Sequence, residues 1–288
     1  MRKTIIIFFL LLTGCFAPST KSSKPIVLVT IPTYAYFVQQ IAGDTVSTEV
    51  FVPPGANPHT YEPTPRQVEK FTMAKIWLRF GDPIEEKILP FLKEKNVKIV
   101  DLTDGVPLLE GSSHACEGHT HTEEGKDLHV WLNPRLAAIQ VKTIADQLKM
   151  TWPENRDLYE QKYQLLISKL KDLDQEIEKQ LEPFKGSYLL VSHPALGYYC
   201  ARYGLNQLSI ECEGKDPRPQ QVATIVSEAK ENKVQVIFTE PQYNNKGAIL
   251  IAEKLNLPIY QIDPYASDYL NSMREITRAI VKFYAHPS

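Results

Sequence analysis

From Pro25 onward, short β-branched runs alternate with amphipathic stretches. IVLVTI (26–31), VSTEVFV (46–52), AKIWLRF (74–80) and VKIVDL (97–102) have the length and composition of strands, and helical spacing fills 34–43, 65–73 and 83–94. The rhythm then recurs. SYLLVS (187–192), LNQLSI (205–210), VQVIFTE (234–240) and LPIYQI (257–262) alternate with helical stretches near 195–203, 219–231 and 246–255. Such alternation predicts parallel sheets covered by helices on both faces. Between the two sets, Asn155 to Leu181 runs without Gly or Pro, with Leu158, Leu166, Leu170, Leu173, Ile177 and Leu181 at helical spacing. Pro183 and Gly186 stop it. A helix of about 27 residues would be roughly 40 Å long. The predicted fold class is therefore α/β, with two lobes, each a parallel sheet flanked by helices, joined by one long linker helix. The lobes are placed at 25–150 and 185–288, and the linker at 151–184. The alternative, a coiled-coil dimer arm, fits less well because the repeat is short and its flanking charges are irregular.

The first residues follow a different pattern. Arg2 and Lys3 precede an unbroken apolar run, Ile5 to Leu12, too short to span a bilayer (about 20 residues) and suited to a signal-peptide core. Leu12-Thr13-Gly14-Cys15 resembles a bacterial lipobox, whose cysteine carries the lipid. Residues 1–14 are thus expected to be a signal peptide, and 15–24 a lipidated tether anchored at Cys15. The alternative is an ordinary cleaved signal. Either way the chain is expected to be extracytoplasmic, in the periplasm or at the cell surface.

Composition changes the picture little. A formal charge of -2 over 288 residues gives no reason to expect nucleic acid. Besides Cys15 there are Cys116, Cys200 and Cys212. In an oxidising compartment Cys200 and Cys212 could pair, or both could stay as buried thiols.

Candidate chemistry lies where strands end, because ligands of open α/β sheets sit beyond the carboxyl ends of the strands. His59 lies in the loop PPGANPHTYEPTP after strand 46–52. His129, in DLHVWLNP, follows the last strand of the first lobe. His193 follows strand 187–192 and Asp263 follows strand 257–262. Each lobe supplies two. If the lobes face each other, three imidazoles and a carboxylate converge, a set that suits a borderline divalent ion such as Zn²⁺ at about 2.0–2.2 Å, whereas Mn²⁺ favours more oxygen. Glu240, in FTEPQ, also follows a strand and competes with Asp263 as the carboxylate, although a role holding loop amides is expected. Tyr198, Tyr199 and Tyr203 share a helix and are expected in the core. His286 near the terminus is taken as incidental.

GANPHTYEPTP, DLHVWLNP, VSHPALGYYCARYGL, IFTEPQYN and the closing IDP resemble, in order, the signature segments of the substrate-binding proteins of zinc and manganese ABC transporters, the ZnuA-like solute-binding family. The resemblance covers essentially the whole chain after the leader. It implies His59, His129, His193 and Asp263 as metal ligands, and zinc rather than manganese, because manganese-selective members often carry glutamate at the third position. It also implies a membrane permease with its cytoplasmic ATPase as partners, and a monomer is expected. Asn133-Pro134 stands where the family has Asp-Pro, and Arg218 follows Pro217 where a Ser is usual. Asn133 suits a helix N-cap with proline at the first helical position.

The stretch HACEGHTHTEEGKD (114–127) adds His114, Cys116, His119 and His121 in a polar, Gly-containing loop, expected to capture metal weakly near the cleft; the alternative is a solvated insertion with no role. Two other functions compete with transport. A zinc-dependent hydrolase would leave a water on the metal. A metal-binding surface adhesin would need a host ligand on which the sequence is silent.

Overall fold

The computed structural model describes residues 24–111, 125–211 and 216–285. Cys15, His114, Cys116, His119, His121, Cys212 and His286 lie outside them, as do the leader and nearly all of the tether.

The first lobe runs β1 (Ile26–Val29), α1 (Pro32–Ala42), β2 (Ser47–Val50), α2 (Pro65–Phe71), β3 (Ile76–Arg79), α3 (Leu89–Glu94) and β4 (Lys98–Asp101). Two helices follow, α4 (Pro134–Thr151) and α5 (Arg156–Leu181). The second lobe runs β5 (Tyr188–Val191), α6 (Gly197–Tyr203), β6 (Asn206–Ser209), α7 (Pro219–Glu231), β7 (Ile237–Thr239), α8 (Lys246–Leu255), β8 (Ile259–Gln261) and α9 (Tyr269–Ala285). Both sheets are four-stranded and parallel, in the orders β2-β1-β3-β4 and β6-β5-β7-β8. The second therefore repeats the topology of the first. The inner strands are covered on both faces, so Val27, Leu28 and Val29 are all buried and read as an unbroken apolar run. In each sheet the chain changes direction beside the first strand, which opens a crevice at the strand carboxyl ends.

Three details differ from the sequence expectation. The helix expected over 83–94 is a tight turn, Pro83–Lys87, followed by the short α3. Pro90 explains the break, since its ring and missing N–H prevent one helix from running through. The buried stripe of α5 begins at Tyr159 and not at Leu158, which is 40% exposed; Leu166, Leu170, Leu173, Ile177 and Leu181 are buried as expected. The closing helix α9 was not foreseen. It buries Tyr269, Met273, Ile276 and Ile280, which share one helical face.

The long helix is more than a strut. It packs on α1, α4 and α9, and a single apolar cluster runs from Val27 and Phe37 of the first lobe through Leu166 and Leu173 to Leu189 and Tyr199 of the second. Polar bonds reinforce this spine. Asp174 of α5, 5% exposed, accepts from Arg135 Nε of α4 at 2.8 Å and from Arg202 Nε and Nη2 of α6, both at 2.7 Å. Burial alone would raise its pKa, but hydrogen bonds from Arg202 and then Arg135 outweigh it and hold the carboxyl below the ordinary value of 3.8. Removing one partner of a well-buried ion pair costs about 3–5 kcal/mol. Arg135 is largely exposed and its share is screened, so Asp174→Ala is expected to cost about 2–3 kcal/mol in a urea titration. Because the folded pKa is depressed, the wild-type contribution is full above the ordinary carboxyl value and is lost as pH falls below it. The gap between wild type and variant should therefore close in acid below about pH 4.

Candidate metal centre

Each candidate ligand is set by local chain chemistry. In the loop after β2, the Asn57 side chain accepts the His59 N–H at 2.8 Å, and the Asn57 carbonyl takes the N–H groups of Thr60 and Tyr61. This Asx-turn fixes the direction of the His59 ring. His129 is followed at once by a single tight turn, Val130–Leu132, and then by α4, whose N-cap Asn133 accepts the Arg135 N–H at 3.0 Å with Pro134 at the first helical position. His193 leaves the end of β5, and its backbone N–H donates to Glu240 Oε2 at 3.3 Å. Glu240 thus holds backbone, and burial pushes its carboxyl well above the usual range.

The three rings meet across the seam between the lobes. Their ligand nitrogens all lie within 4.8 Å of one another, and among the described residues no other His, Cys, Asp or Glu side chain joins such a group. His59 Nε2 and His193 Nε2 are 3.4 Å apart. That is long for a hydrogen bond but matches the edge of a tetrahedron with zinc–nitrogen bonds of about 2.0–2.1 Å, roughly 3.3–3.4 Å. His129 and His193 are buried, whereas the His59 side chain is 37% exposed, so the site opens to solvent on the His59 side.

Every ring is backed by a carboxylate on its Nδ1. Asp82 Oδ2 is 2.8 Å from His59 Nδ1, Asp127 Oδ1 is 2.8 Å from His129 Nδ1, and Glu211 Oε2 is 3.0 Å from His193 Nδ1. An Nδ1 proton donated to a carboxylate leaves the Nε2 lone pair for a cation, sets the tautomer and raises ligand basicity. Asp82 Oδ2 finds no other hydrogen-bond donor among the described residues, while its Oδ1 caps the Ile84 N–H at 2.9 Å. The turn that carries Asp82 is held by buried Glu85, which accepts the N–H groups of Phe80 and Gly81; Gly81 has φ 89°, a conformation that disfavours side chains. Asp127 also accepts the His129 backbone N–H at 2.9 Å, and its carbonyl takes the Tyr198 hydroxyl at 2.8 Å. A Cβ on Gly197 would collide with Asp127 Oδ2, so the glycine at the start of α6 is required for this approach.

Electrostatics favour ligation. Burial, reinforced by the neighbouring His129 and His193's other neighbour His59, holds the pKa of His193 well below 6.5, so its lone pair is free at neutral pH. Burial, then the nearby Asp216, pushes Glu211 up to about 7, with His59 opposing. A cation on His193 Nε2 favours the carboxylate form of Glu211, which then accepts the Nδ1 proton.

Asp263 is not brought into the histidine group. Its Oδ1 accepts from Gln242 Nε2 at 2.7 Å and from the Tyr265 N–H at 3.0 Å. Two tyrosines that sequence reasoning passed over do reach the rings. The Tyr265 hydroxyl lies 2.8 Å from His129 Nε2, and Tyr243 stacks on His193 with ring centres 4.0 Å apart and planes 11° apart. The three expected core tyrosines are buried, and Tyr198 also bonds Asp127 behind the site. Cys200 is buried and its thiol pKa is raised by that burial; its suggested partner Cys212 lies outside the described residues.

A two-lobed α/β protein with three converging imidazoles at its seam belongs, by architecture, with metal-binding solute receptors. The comparisons agree. The family model for the periplasmic component A of zinc-uptake complexes, ZnuA, matches residues 27–283, and the chain belongs to this family. The high-affinity zinc uptake system protein ZnuA of Bacillus subtilis (strain 168) is 30% identical over 263 residues, covering 86% of this chain and 82% of that protein. The zinc-binding lipoprotein AdcA of Streptococcus pneumoniae (strain ATCC BAA-255 / R6) is 28% identical over 90% of this chain but 53% of its own length. A crystal structure of ZnuA superposes with a TM-score of 0.83 at 32% identity, covering 91% of this chain and 99% of that one. A deletion mutant of ZnuA with zinc bound gives the same score and identity.

Proposed function

We propose that this protein is the extracytoplasmic substrate-binding component of an ABC transporter, capturing Zn²⁺ and presenting it to a membrane permease driven by a cytoplasmic ATPase. The observation that carries the proposal is the meeting of three imidazoles from two lobes, each oriented by a carboxylate on the nitrogen that faces away from the others. His59, His129 and His193 are the metal ligands. Asp263 is the fourth. Both bonds described for it use Oδ1, which leaves the other carboxylate oxygen to turn toward the ion. The lobes share one apolar cluster around α5, so capture is accompanied by small movements of loops and not by a wide hinge.

A nitrogen-rich donor set favours zinc over manganese, which takes more oxygen. The hydrolase alternative is less well supported: Asp82, Asp127 and Glu211 are each engaged with the Nδ1 atom of a ring, where they orient the imidazoles and do not activate a water. Anchoring through Cys15 and a monomeric state complete the proposal, supported by the lipobox-like leader and by a lobe pair that closes the site within one chain. No described helix is long and apolar enough to cross a membrane.

The test is metal content after equilibration of chelator-treated protein with equal zinc and manganese. One zinc per chain is expected, with manganese retained only at a trace level, and His193→Glu should shift the ratio toward manganese. Equal retention of both metals by the wild type would refute the zinc assignment.

A further inference from the structure

His129 Nε2 has one lone pair, and the Tyr265 hydroxyl lies on it at 2.8 Å. The direction of this bond is set from the other side of the ring. Asp127 takes the Nδ1 proton, so Nε2 accepts and Tyr265 donates. The Tyr265 oxygen is then free to accept from the Tyr243 hydroxyl, 2.9 Å away, and successive bonds in such a chain strengthen one another. Tyr265 is 4% exposed and held in place by its surroundings: its N–H donates to Asp263, and the carbonyl of Pro264 just before it takes the Trp131 indole N–H at 2.9 Å. The donor is in the second lobe and the acceptor in the first, so the bond spans the seam.

A hydroxyl proton and a cation cannot share one lone pair. We infer that Tyr265 is a latch on the metal site: its hydroxyl competes with the ion for His129 Nε2, lowers zinc affinity below what the three imidazoles alone would reach, and speeds release as the bond re-forms. This rests on the proposed reading of the site, in which His129 Nε2 is one of the metal ligands. A transport receptor needs an affinity high enough to capture and low enough to surrender its cargo, and one competing hydrogen bond adjusts that balance without removing a ligand.

The test is Tyr265→Phe, which deletes one oxygen and keeps the ring, read by competition for zinc against a chromogenic chelator and by stopped-flow transfer of zinc to excess chelator. A net hydrogen bond is worth roughly a three- to tenfold change in an equilibrium constant. The variant is therefore expected to bind zinc about three- to tenfold more tightly and to release it more slowly. Its chelator-treated form should melt lower than wild type, since His129 Nε2 then lacks its donor, while the zinc-induced rise in melting temperature should be larger. Tyr243→Phe, which removes only the outer hydroxyl, should give a smaller gain of the same sign. Unchanged affinity in Tyr265→Phe would overturn the latch, and weaker binding would show the phenol to be a ligand instead. If the wild type itself bound no zinc, the site reading would fall first, which separates the two failures.

Discussion

Replacing His129 with alanine is expected to weaken zinc binding by about two to three orders of magnitude while leaving the protein folded. A closed structural zinc site supplies roughly 10–16 kcal/mol from four ligands, or about 3–4 kcal/mol per ligand, which corresponds to that loss. The side chain is buried, with Asp127 behind it, Tyr265 at its other nitrogen, and the Trp131 ring tilted against it with ring centres 5.4 Å apart. The fold does not depend on it. Trp131 remains packed in the main apolar cluster and bonded to Pro264. Chelator competition reads the affinity, and far-UV circular dichroism checks the fold. An affinity within threefold of wild type would remove His129 from the ligand set.

The second large effect is expected one layer further out. Asp127→Ala takes away the acceptor of the His129 Nδ1 proton and of the His129 backbone N–H. The ring is then free to change tautomer and to turn. Outer partners of metal-bound histidines are typically worth 10–100-fold in affinity, so a loss of that size is expected, with one zinc per chain still bound at saturation. Asp127→Asn keeps a neutral acceptor and should fall between the two. Lowering the pH acts on the same bonds. Burial and the neighbouring imidazoles place the His193 pKa well below 6.5, so its contribution to zinc affinity is full above that value and is lost as pH falls through its folded pKa. Zinc affinity is therefore expected to hold its His193 contribution through neutral pH and to lose it in acid, never to rise as pH falls, when followed by the same competition assay.

Much of this architecture is legible in the residue pattern, and the reasons are physical. Inner strands of parallel sheets are buried on both faces, so IVLV and YLLV announce themselves as apolar runs. Once the strand–helix alternation is read as open α/β sheets, the rule that ligands gather beyond strand ends points to His59, His129, His193 and Asp263, and the resemblance to the family's segments singles out the same four. Among carboxylates the same rule singles out Asp263 and Glu240, and it applies equally to Asp82 just after β3 and Glu211 just after β6. The latter two were passed over because acids at strand ends are common and only the third dimension pairs each with a ring. Asp127, two residues before His129, was visible in DLH but reads equally as a loop acid. Tyr265 and Tyr243 were hidden for a different cause: a tyrosine carries no ligand signature, and its hydroxyl becomes informative only when its partner is known. The helix α9 was missed because polar Asn271, Arg274 and Glu275 dilute its apolar face, although Met273, Ile276 and Ile280 keep the spacing. Asp263 stands apart. Its position after β8 was legible, yet its Oδ1 is committed to Gln242 and to the Tyr265 amide, an arrangement set by tertiary contacts alone.

All of this depends on one cation being gripped jointly by side chains that two separate sheets deliver to their common boundary. Anomalous diffraction at the zinc absorption edge from crystals of zinc-loaded protein tests that directly. The expected result is a single strong peak about 2.0–2.1 Å from the Nε2 atoms of His59, His129 and His193. A peak bound to residues of one lobe only, or to Nδ1 atoms with the carboxylates displaced, would contradict it.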